Sequence, residues 1–212
     1  MIRAKDVIVF QGDSITDNGR NRQVAAANDG GALGGGYVKM IAGRLLSERP
    51  TDDLRIYNRG NSGDQVITLA QRWDADCIAI KPNMLSVLIG VNDTWRGFDG
   101  GVPVPVDRYE NVYRQILTDA RQANAQLRIV LCEPFVLVTG AVTAAWLPEI
   151  NQRREITRRL AKEFNATFVP FQAAFDKAAK KAAPNYWLGD GVHPSVAGHG
   201  LMAQTWLDTV TR

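Results

Sequence analysis

The chain has 212 residues, of which 45% are hydrophobic and 22% charged, and its formal net charge is +3. This length suits one α/β domain with a sizeable core, so we expect residues 1–212 to form a single domain. The surplus of 25 basic over 22 acidic residues is too small to indicate nucleic-acid binding. No apolar run reaches the roughly 18 residues of a membrane span, so neither nucleic acid nor membrane is predicted as a partner.

The amino terminus and the cysteines bear on the cellular compartment. Residues 1–6 lead directly into an apolar run, without the apolar core and cleavage site of a signal peptide, which predicts a cytoplasmic protein. Cys77 and Cys132 lie far apart in apolar segments, so we expect buried free thiols. The spacing of the two histidines and the carboxylates predicts no metal site.

Five short apolar runs alternate with longer segments of helical periodicity. Each run is followed by glycine, proline or polar residues, as expected where a strand enters a loop. Strands that alternate with helices form a mostly parallel sheet, so we expect a three-layer α/β/α architecture. The predicted strands cover residues 7–10, 54–57, 85–89, 128–131 and 167–169.

Two helices are predicted most clearly. The first runs from Asp107 to about Asn124, with Asp107 as its N-cap and Glu110 in the position of a capping box. The second spans roughly residues 150–164. We expect its arginines at positions 153, 154, 158 and 159 to lie largely on the solvent side as surface charge, with an anion site as the alternative.

Small and polar residues follow the first three predicted strands. Gly12-Asp13-Ser14 follows the first, Asn61-Ser62-Gly63-Asp64 comes shortly after the second, and Gly90-Val91-Asn92-Asp93 follows the third. In an open parallel sheet, ligands bind beyond the carboxyl ends of the strands. We therefore expect these three segments to meet at one edge of the sheet and to form a site there.

Ser14 is the candidate nucleophile of this site. A hydrolytic serine needs a base to remove its proton, and the chain has only two histidines, His193 and His199. Asp190 precedes His193 by three residues, so a single turn can bring its carboxylate to Nδ1 and leave Nε2 free to face Ser14. We therefore predict a triad of Ser14, Asp190 and His193. The alternative is that Ser14 merely caps a helix.

The tetrahedral intermediate of an ester hydrolysis carries an oxyanion, which hydrogen-bond donors must stabilise. The predicted donors are the backbone N–H groups of Ser14 and Gly63 and the side-chain amide of Asn92. The alternatives are a simple turn glycine at position 63 and a loop-bracing amide at position 92. Asp13 and Asp93 are interpreted as carboxylates that brace loops.

The remaining histidine and a serine near it are given structural roles. His199 is expected to pack or to hydrogen-bond within the fold. Ser195 is the predicted N-cap of a C-terminal helix.

These segments resemble the four conserved blocks of the SGNH (GDSL) serine hydrolases, in the family's order and at about its spacing. The blocks are 12–17 (GDSITD), 61–64 (NSGD), 90–93 (GVND) and 190–194 (DGVHP). The resemblance implies a flavodoxin-like fold with a five-stranded parallel sheet. It implies the family's usual roles for Ser14, Gly63, Asn92 and His193, and no cofactor.

Within that family, residues 12–20, 31–37, 92–96 and 193–199 are most similar to bacterial acetylxylan esterases. This similarity implies a serine carboxylesterase that removes acetyl groups from xylan or xylo-oligosaccharides through an acyl-enzyme intermediate. Trp95, Trp187 and Tyr37 are the candidate substrate contacts, and core packing is the alternative for both tryptophans. The sequence departs from relatives at Gly189, where a bulky aromatic residue can stand, and Trp187 is a candidate to take its place.

Two other functions stay open from the sequence. The same residues would serve a thioesterase or lysophospholipase with a preference for longer acyl chains. A non-catalytic carbohydrate- or nucleotide-binding domain on a flavodoxin-like fold is the alternative outside enzymes. Relatives often assemble, so the resemblance also leaves a homo-oligomer open, and the sequence identifies no interface.

Overall fold

The computed structural model describes residues 2–211, which fold around one five-stranded sheet. All strands are parallel and lie in the order β2-β1-β3-β4-β5. The strands are β1 (Val7–Gly12), β2 (Arg55–Asn58), β3 (Met84–Leu88), β4 (Arg128–Cys132) and β5 (Thr167–Val169). This order is the flavodoxin-like arrangement, so the predicted fold class is confirmed.

Ten α-helices and two short 3-10 helices connect the strands within residues 2–211. The α-helices are α1 (Ser14–Asp17), α2 (Tyr37–Glu48), α3 (Val66–Gln71), α4 (Trp73–Asp76), α5 (Val91–Trp95), α6 (Val106–Ala123), α7 (Leu147–Glu163), α8 (Phe171–Ala179), α9 (Pro184–Trp187) and α10 (Val196–Val210). The 3-10 helices are Ile78–Ile80 and Ala144–Trp146. None of the helices in the described chain is long and apolar enough to cross a membrane.

Alternate side chains of each strand enter two separate cores, one on each face of the sheet. Ile8 and Phe10 of β1 pack with residues of α2, α8 and α10, whereas Val7 and Val9 pack with α3, α6 and α7. This follows from the two-residue period of a strand. Helices cover both faces, which makes the fold the predicted three-layer sandwich. Cys77 and Cys132 are free and buried, as predicted.

The start of α6 differs from its prediction. Pro105 is the N-cap and Asp107 lies within the first turn. Glu110 does not form a capping box, because its carboxylate accepts hydrogen bonds from Arg114 and Arg159 on the helix surfaces. The predicted N-cap at Asp107 is therefore wrong by two residues. Ser195 does cap α10, as predicted, by accepting the N–H of Gly198 at 3.2 Å.

The arginines of α7 do not all face solvent. Arg158 and Arg159 do, but Arg153 is fully buried and Arg154 is 9% exposed. The Arg153 guanidinium lies over the Tyr109 ring and donates to the backbone oxygens of Asp93 and Val104. The prediction of a charged surface face is therefore wrong at Arg153 and also at Arg154, which donates to the Pro134 carbonyl. Hydrogen bonds from Nε and Nη2 to a hydroxyl, two carbonyls and a carboxylate offset the cost of burying the Arg153 guanidinium, although Nη1 has no partner among residues 2–211.

Candidate active site

Ser14 lies at the carboxyl end of β1, next to the point where the strand order reverses between β1 and β3. The chain turns there from β1 directly into α1. Asp13, not Ser14, caps this short helix, since its Oδ1 accepts the N–H of Ile15 at 3.0 Å. The hydroxyl of Ser14 is therefore not used as a cap.

Ser14, His193 and Asp190 are joined in a line of hydrogen bonds. Ser14 Oγ lies 2.9 Å from His193 Nε2, although 179 positions separate the two residues in the sequence. His193 Nδ1 lies 2.7 Å from Asp190 Oδ2. The structure thus brings together the three residues predicted as a triad, in the geometry that proton transfer from the hydroxyl to the ring requires.

The other oxygen of Asp190 folds the loop around His193. Oδ1 accepts the backbone N–H of Val192 at 2.9 Å and that of His193 at 2.7 Å. Burial alone would raise the pKa of Asp190, but hydrogen bonds from the His193 ring and from these two N–H groups outweigh it and hold the pKa below its usual value. The carboxylate therefore stays ionised and fixes the orientation of the ring.

Backbone hydrogen bonds from the segment between β4 and α7 hold the loop that carries Asp190 and His193. Ala141 N–H donates to the Asp190 carbonyl at 2.9 Å, and Leu137 N–H donates to the Gly191 carbonyl at 3.0 Å. The side chains of this loop are nevertheless accessible to solvent, with 45% exposure for His193 and 39% for Asp190. A bulky alcohol can therefore reach the ring from solvent.

Gly63 lies on the loop after β2, which hydrogen bonds fasten to the Ser14 turn. Asn61 N–H donates to the Gly12 carbonyl at 2.9 Å, and Asp17 Oδ2 accepts both the N–H and the hydroxyl of Ser62. Gly63 has φ of +88°, a left-handed conformation that a residue with a side chain adopts only with strain. This exposed glycine thus lies at the same edge of the sheet as Ser14.

Asn92 is held on α5 beside the same loop. Its side chain is 6% exposed, and Nδ2 donates to the Asp64 carbonyl at 3.0 Å. One of the two amide N–H groups is used in this bond, and the second has no hydrogen-bond acceptor among residues 2–211. Ser14, Gly63 and Asn92 thus follow three neighbouring strands at one edge of the sheet, and their convergence on an oxyanion stays a prediction.

Arg72 ties the strand ends together, and the sequence did not single it out. Its guanidinium donates to the carboxylate of Asp64 at 2.7 Å and to the backbone oxygens of Arg59 and Gly12 at 2.7 and 3.1 Å. It therefore links the ends of β1 and β2 to the loop that carries Gly63. Only its position at the end of a short helix, eight residues after Asp64, hinted at this role.

The carboxylates beside the site are buried. Asp93 is fully buried and accepts the N–H of Val66, so it braces the loop as predicted. Burial raises its pKa to about 6. Asp13 is also fully buried, and its Oδ2 has no hydrogen-bond partner in the described part of the chain. Burial first, and then the nearby charges of Asp93 and Asp64, raise the pKa of Asp13 to about 7.

Asp13→Asn is expected to stabilise the protein at alkaline pH and to have little effect in acid. A carboxyl whose pKa is higher in the folded state stabilises the fold below its unfolded pKa, and this contribution is lost as the pH rises from about 4 to about 7. Asparagine stays neutral and its carbonyl still accepts the Ile15 N–H. Thermal unfolding at pH 4, 6 and 8 measures the difference in Tm between variant and parent.

Asp119→Asn on α6 is the matched control, because its carboxylate is partly exposed and, among residues 2–211, accepts a side-chain hydrogen bond from Gln115 alone. The control should not reproduce the pH trend. A Tm difference for Asp13→Asn that stays constant from pH 4 to pH 8 would contradict the raised pKa.

The three predicted substrate contacts have different environments. The Trp95 ring lies 5.7 Å from the His193 ring between centroids and 5.4 Å from Trp146, at the side of the site. Trp187 is partly buried and packs edge-on against Tyr186, and its Nε1 has no hydrogen-bond partner in the described part of the chain. It precedes Asp190 by three residues, so it lies near the site in sequence, and its substrate contact stays a prediction.

Tyr37 is not at the surface of the site. Its side chain is fully buried, its hydroxyl lies 3.1 Å from Thr16 Oγ1, and its ring packs edge-on against Phe10 and Phe171. The predicted substrate contact at Tyr37 is therefore wrong, because α2 turns this residue into the core behind the Ser14 turn. His199 stacks on it and accepts the Tyr37 N–H, which confirms a structural role for this histidine.

Comparisons with known proteins agree with this geometry. The sequence model of the GDSL-like lipase/acylhydrolase family matches residues 10–201. An acetylxylan esterase from Geobacillus stearothermophilus is 36% identical, over 97% of this chain and 94% of that protein.

Two solved structures superpose on almost the whole chain. A protein from Parabacteroides merdae ATCC 43184, described as a GDSL-like lipase, is 43% identical with a TM-score of 0.96, over 100% of this chain and 98% of that one. The structure of the Geobacillus stearothermophilus acetylxylan esterase is 35% identical with a TM-score of 0.91, over 100% of this chain and 96% of that one. The chain belongs to the GDSL-like lipase/acylhydrolase family and is a serine carboxylic ester hydrolase.

Proposed function

We propose that this enzyme removes acetyl groups from xylo-oligosaccharides through an acyl-enzyme intermediate on Ser14. The observation that carries the proposal is the line of hydrogen bonds from Ser14 Oγ through His193 to Asp190, at an edge of the sheet that is open to solvent. The likeness to an acetylxylan esterase over nearly the full length of both chains supports this substrate class.

In the first half of the reaction, Ser14 Oγ attacks the acetyl carbonyl while His193 Nε2 takes the proton of the Ser14 hydroxyl. Asp190 stabilises the imidazolium that forms and keeps Nδ1 protonated. The carbonyl oxygen becomes an oxyanion, which accepts hydrogen bonds from the N–H groups of Ser14 and Gly63 and from the free N–H of the Asn92 amide. The intermediate collapses, the imidazolium protonates the leaving sugar oxygen, and acetyl-Ser14 remains.

In the second half, water replaces the sugar. His193 Nε2 takes a proton from the water as it attacks the acetyl carbonyl, and the same three donors stabilise the second oxyanion. Collapse of this intermediate releases acetate and returns the proton to Ser14 Oγ. The exposure of His193 gives both the departing sugar and the incoming water a direct path to the ring.

Acetate release from a panel of acetylated sugars tests the substrate class. Acetylated xylo-oligosaccharides should give a higher kcat/KM than acetylated glucose or acetylated glucosamine, measured by enzymatic acetate detection. A second series of para-nitrophenyl esters varies the acyl chain, and the rate should fall steeply beyond acetyl or propionyl. A maximum at a chain of eight or more carbons would overturn the proposal in favour of a thioesterase or lysophospholipase.

A further inference from the structure

Arg96 lies at the edge of the site, directly after the helix that carries Asn92 and Trp95. It is the C-cap of α5, and its backbone N–H donates to the Asn92 carbonyl at 3.1 Å. Its Nη2 lies 3.7 Å from the point where a Cβ on Gly63 would stand. No other atom outside the adjacent residues lies within 4 Å of that point in the described chain, so the space above Gly63 is open and the guanidinium borders it.

The guanidinium is fixed in this position by the loop that follows it. Arg96 Nη1 forms an ion pair with Asp99, whose Oδ1 accepts the N–H of Gly101 at 3.0 Å. A Cβ on Gly101 would stand 2.8 Å from Arg96 Cδ, so the loop packs closely against the arginine at this glycine. Further along, the Val102 carbonyl accepts from Gln65 Nε2 at 3.0 Å, which ties the loop to the residues after Gly63.

The donors of Arg96 are not all used. Nε and Nη2 have no hydrogen-bond acceptor among residues 2–211, and the side chain is 37% exposed. Asp99 neutralises the positive charge, which disfavours a role for Arg96 in binding an anionic substrate or in stabilising the oxyanion from a distance. The pair places hydrogen-bond donors on Arg96 beside acceptors on Asp99. Each hydroxyl group of a sugar both donates and accepts, so two neighbouring hydroxyls could bind to Arg96 and Asp99 together.

We propose that Arg96 and Asp99 form a hydroxyl-binding subsite that recognises the sugar half of the ester. The inference rests on the proposed sugar-ester substrate, and it adds residues that determine specificity for it. Trp95 supplies an aromatic surface on the His193 side of the same helix, where the sugar leaves. The subsite thus combines hydrogen bonds from the pair with packing from Trp95.

The specificity ratio of Arg96→Ala tests the subsite. This ratio is kcat/KM on acetylated xylobiose divided by kcat/KM on para-nitrophenyl acetate, which has no hydroxyls to bind. Loss of charged hydrogen bonds should lower it about 10- to 100-fold, mainly through KM on the sugar ester. Asp99→Asn should lower it less, and Arg96→Lys should recover part of it. Arg44→Ala, in an exposed ion pair with Glu48 on α2, is the matched control and should leave the ratio unchanged.

A binding measurement separates this inference from the proposed function. Unacetylated xylobiose is titrated into Ser14→Ala and into Ser14→Ala/Arg96→Ala, and affinity should fall about tenfold or more in the double variant. If Arg96→Ala lowered kcat/KM equally on both esters, or if the two Ser14→Ala proteins bound xylobiose equally well, the subsite would be overturned. If the parent enzyme instead prefers another acetylated sugar to acetylated xylobiose, the xylan proposal fails, and the same binding comparison with the deacetylated form of the preferred sugar decides the role of Arg96.

Discussion

Replacing Ser14 with alanine is expected to lower kcat on para-nitrophenyl acetate by roughly 10³- to 10⁶-fold while the protein stays folded. The hydroxyl makes its contact with His193 and does not cap α1, because Asp13 has that role. Its removal therefore abolishes acyl transfer without loss of a structural hydrogen bond. Initial rates at saturating substrate, together with thermal unfolding of the same sample, measure the two effects separately.

Ser47→Ala is the matched control for this variant. Ser47 lies on α2 and its hydroxyl donates only to the Arg44 carbonyl of its own helix, so the change should leave kcat unaltered. Mass spectrometry of the parent enzyme after mixing with substrate adds a direct observation, an acetyl group on Ser14 that the alanine variant lacks. Activity of Ser14→Ala within a factor of ten of the parent would end the triad hypothesis.

The fold could be predicted from the sequence because its strands are short, apolar and followed by loop-forming residues. The run at 167–169 coincides with β5, and the other four overlap their strands with ends shifted by a few residues. The observed strand ends differ from the predicted ones because a strand ends where its hydrogen bonds to the neighbouring strand end. Asn58 belongs to β2 although it is polar, since it pairs with Phe10 of β1 and its side chain is buried against the α1 backbone.

The gathering of candidate site residues was also predictable, because it depends on topology more than on packing. Parallel strands send their carboxyl ends to one edge, so Ser14, Gly63 and Asn92 had to lie near one another once the sheet was assigned. His193 required a further argument, since it lies after the last strand and reaches Ser14 across most of the sequence. The chain has only two histidines, and only His193 has an aspartate three residues before it, which made it the candidate base.

The errors at Arg153 and Tyr37 both concern burial, which neither a helical pattern nor a similarity to relatives shows. Arg153 follows a charged pattern, yet α7 packs against α5 and α6, and the guanidinium is enclosed by carbonyl oxygens and Tyr109. Tyr37 lies in a segment similar to relatives but faces the core. Arg72 was missed because its acceptors are mostly backbone oxygens, which every residue carries. Such roles follow only from the assembled tertiary structure.

Asp190→Asn is expected to reduce kcat by roughly 10³- to 10⁴-fold with little change in the surrounding loop. The asparagine carbonyl can still accept the N–H groups of Val192 and His193. Its Nδ2, however, takes the place of Oδ2 and presents a donor to His193 Nδ1. The ring must then carry its proton on Nε2, so it donates to Ser14 Oγ and cannot accept the proton of that hydroxyl.

This explanation predicts a change that a merely structural role for Asp190 would not produce. Nitrogen chemical shifts of the His193 ring should show Nε2 unprotonated in the parent at alkaline pH and protonated in Asp190→Asn. Raising the pH should not restore activity, because it does not move the ring proton from Nε2 to Nδ1. Asp176→Asn on the exposed face of α8 serves as the control and should change neither the shifts nor kcat. If Asp190→Asn kept the parent tautomer but still lost activity, the carboxylate would act by stabilising the imidazolium charge rather than by fixing the proton on Nδ1.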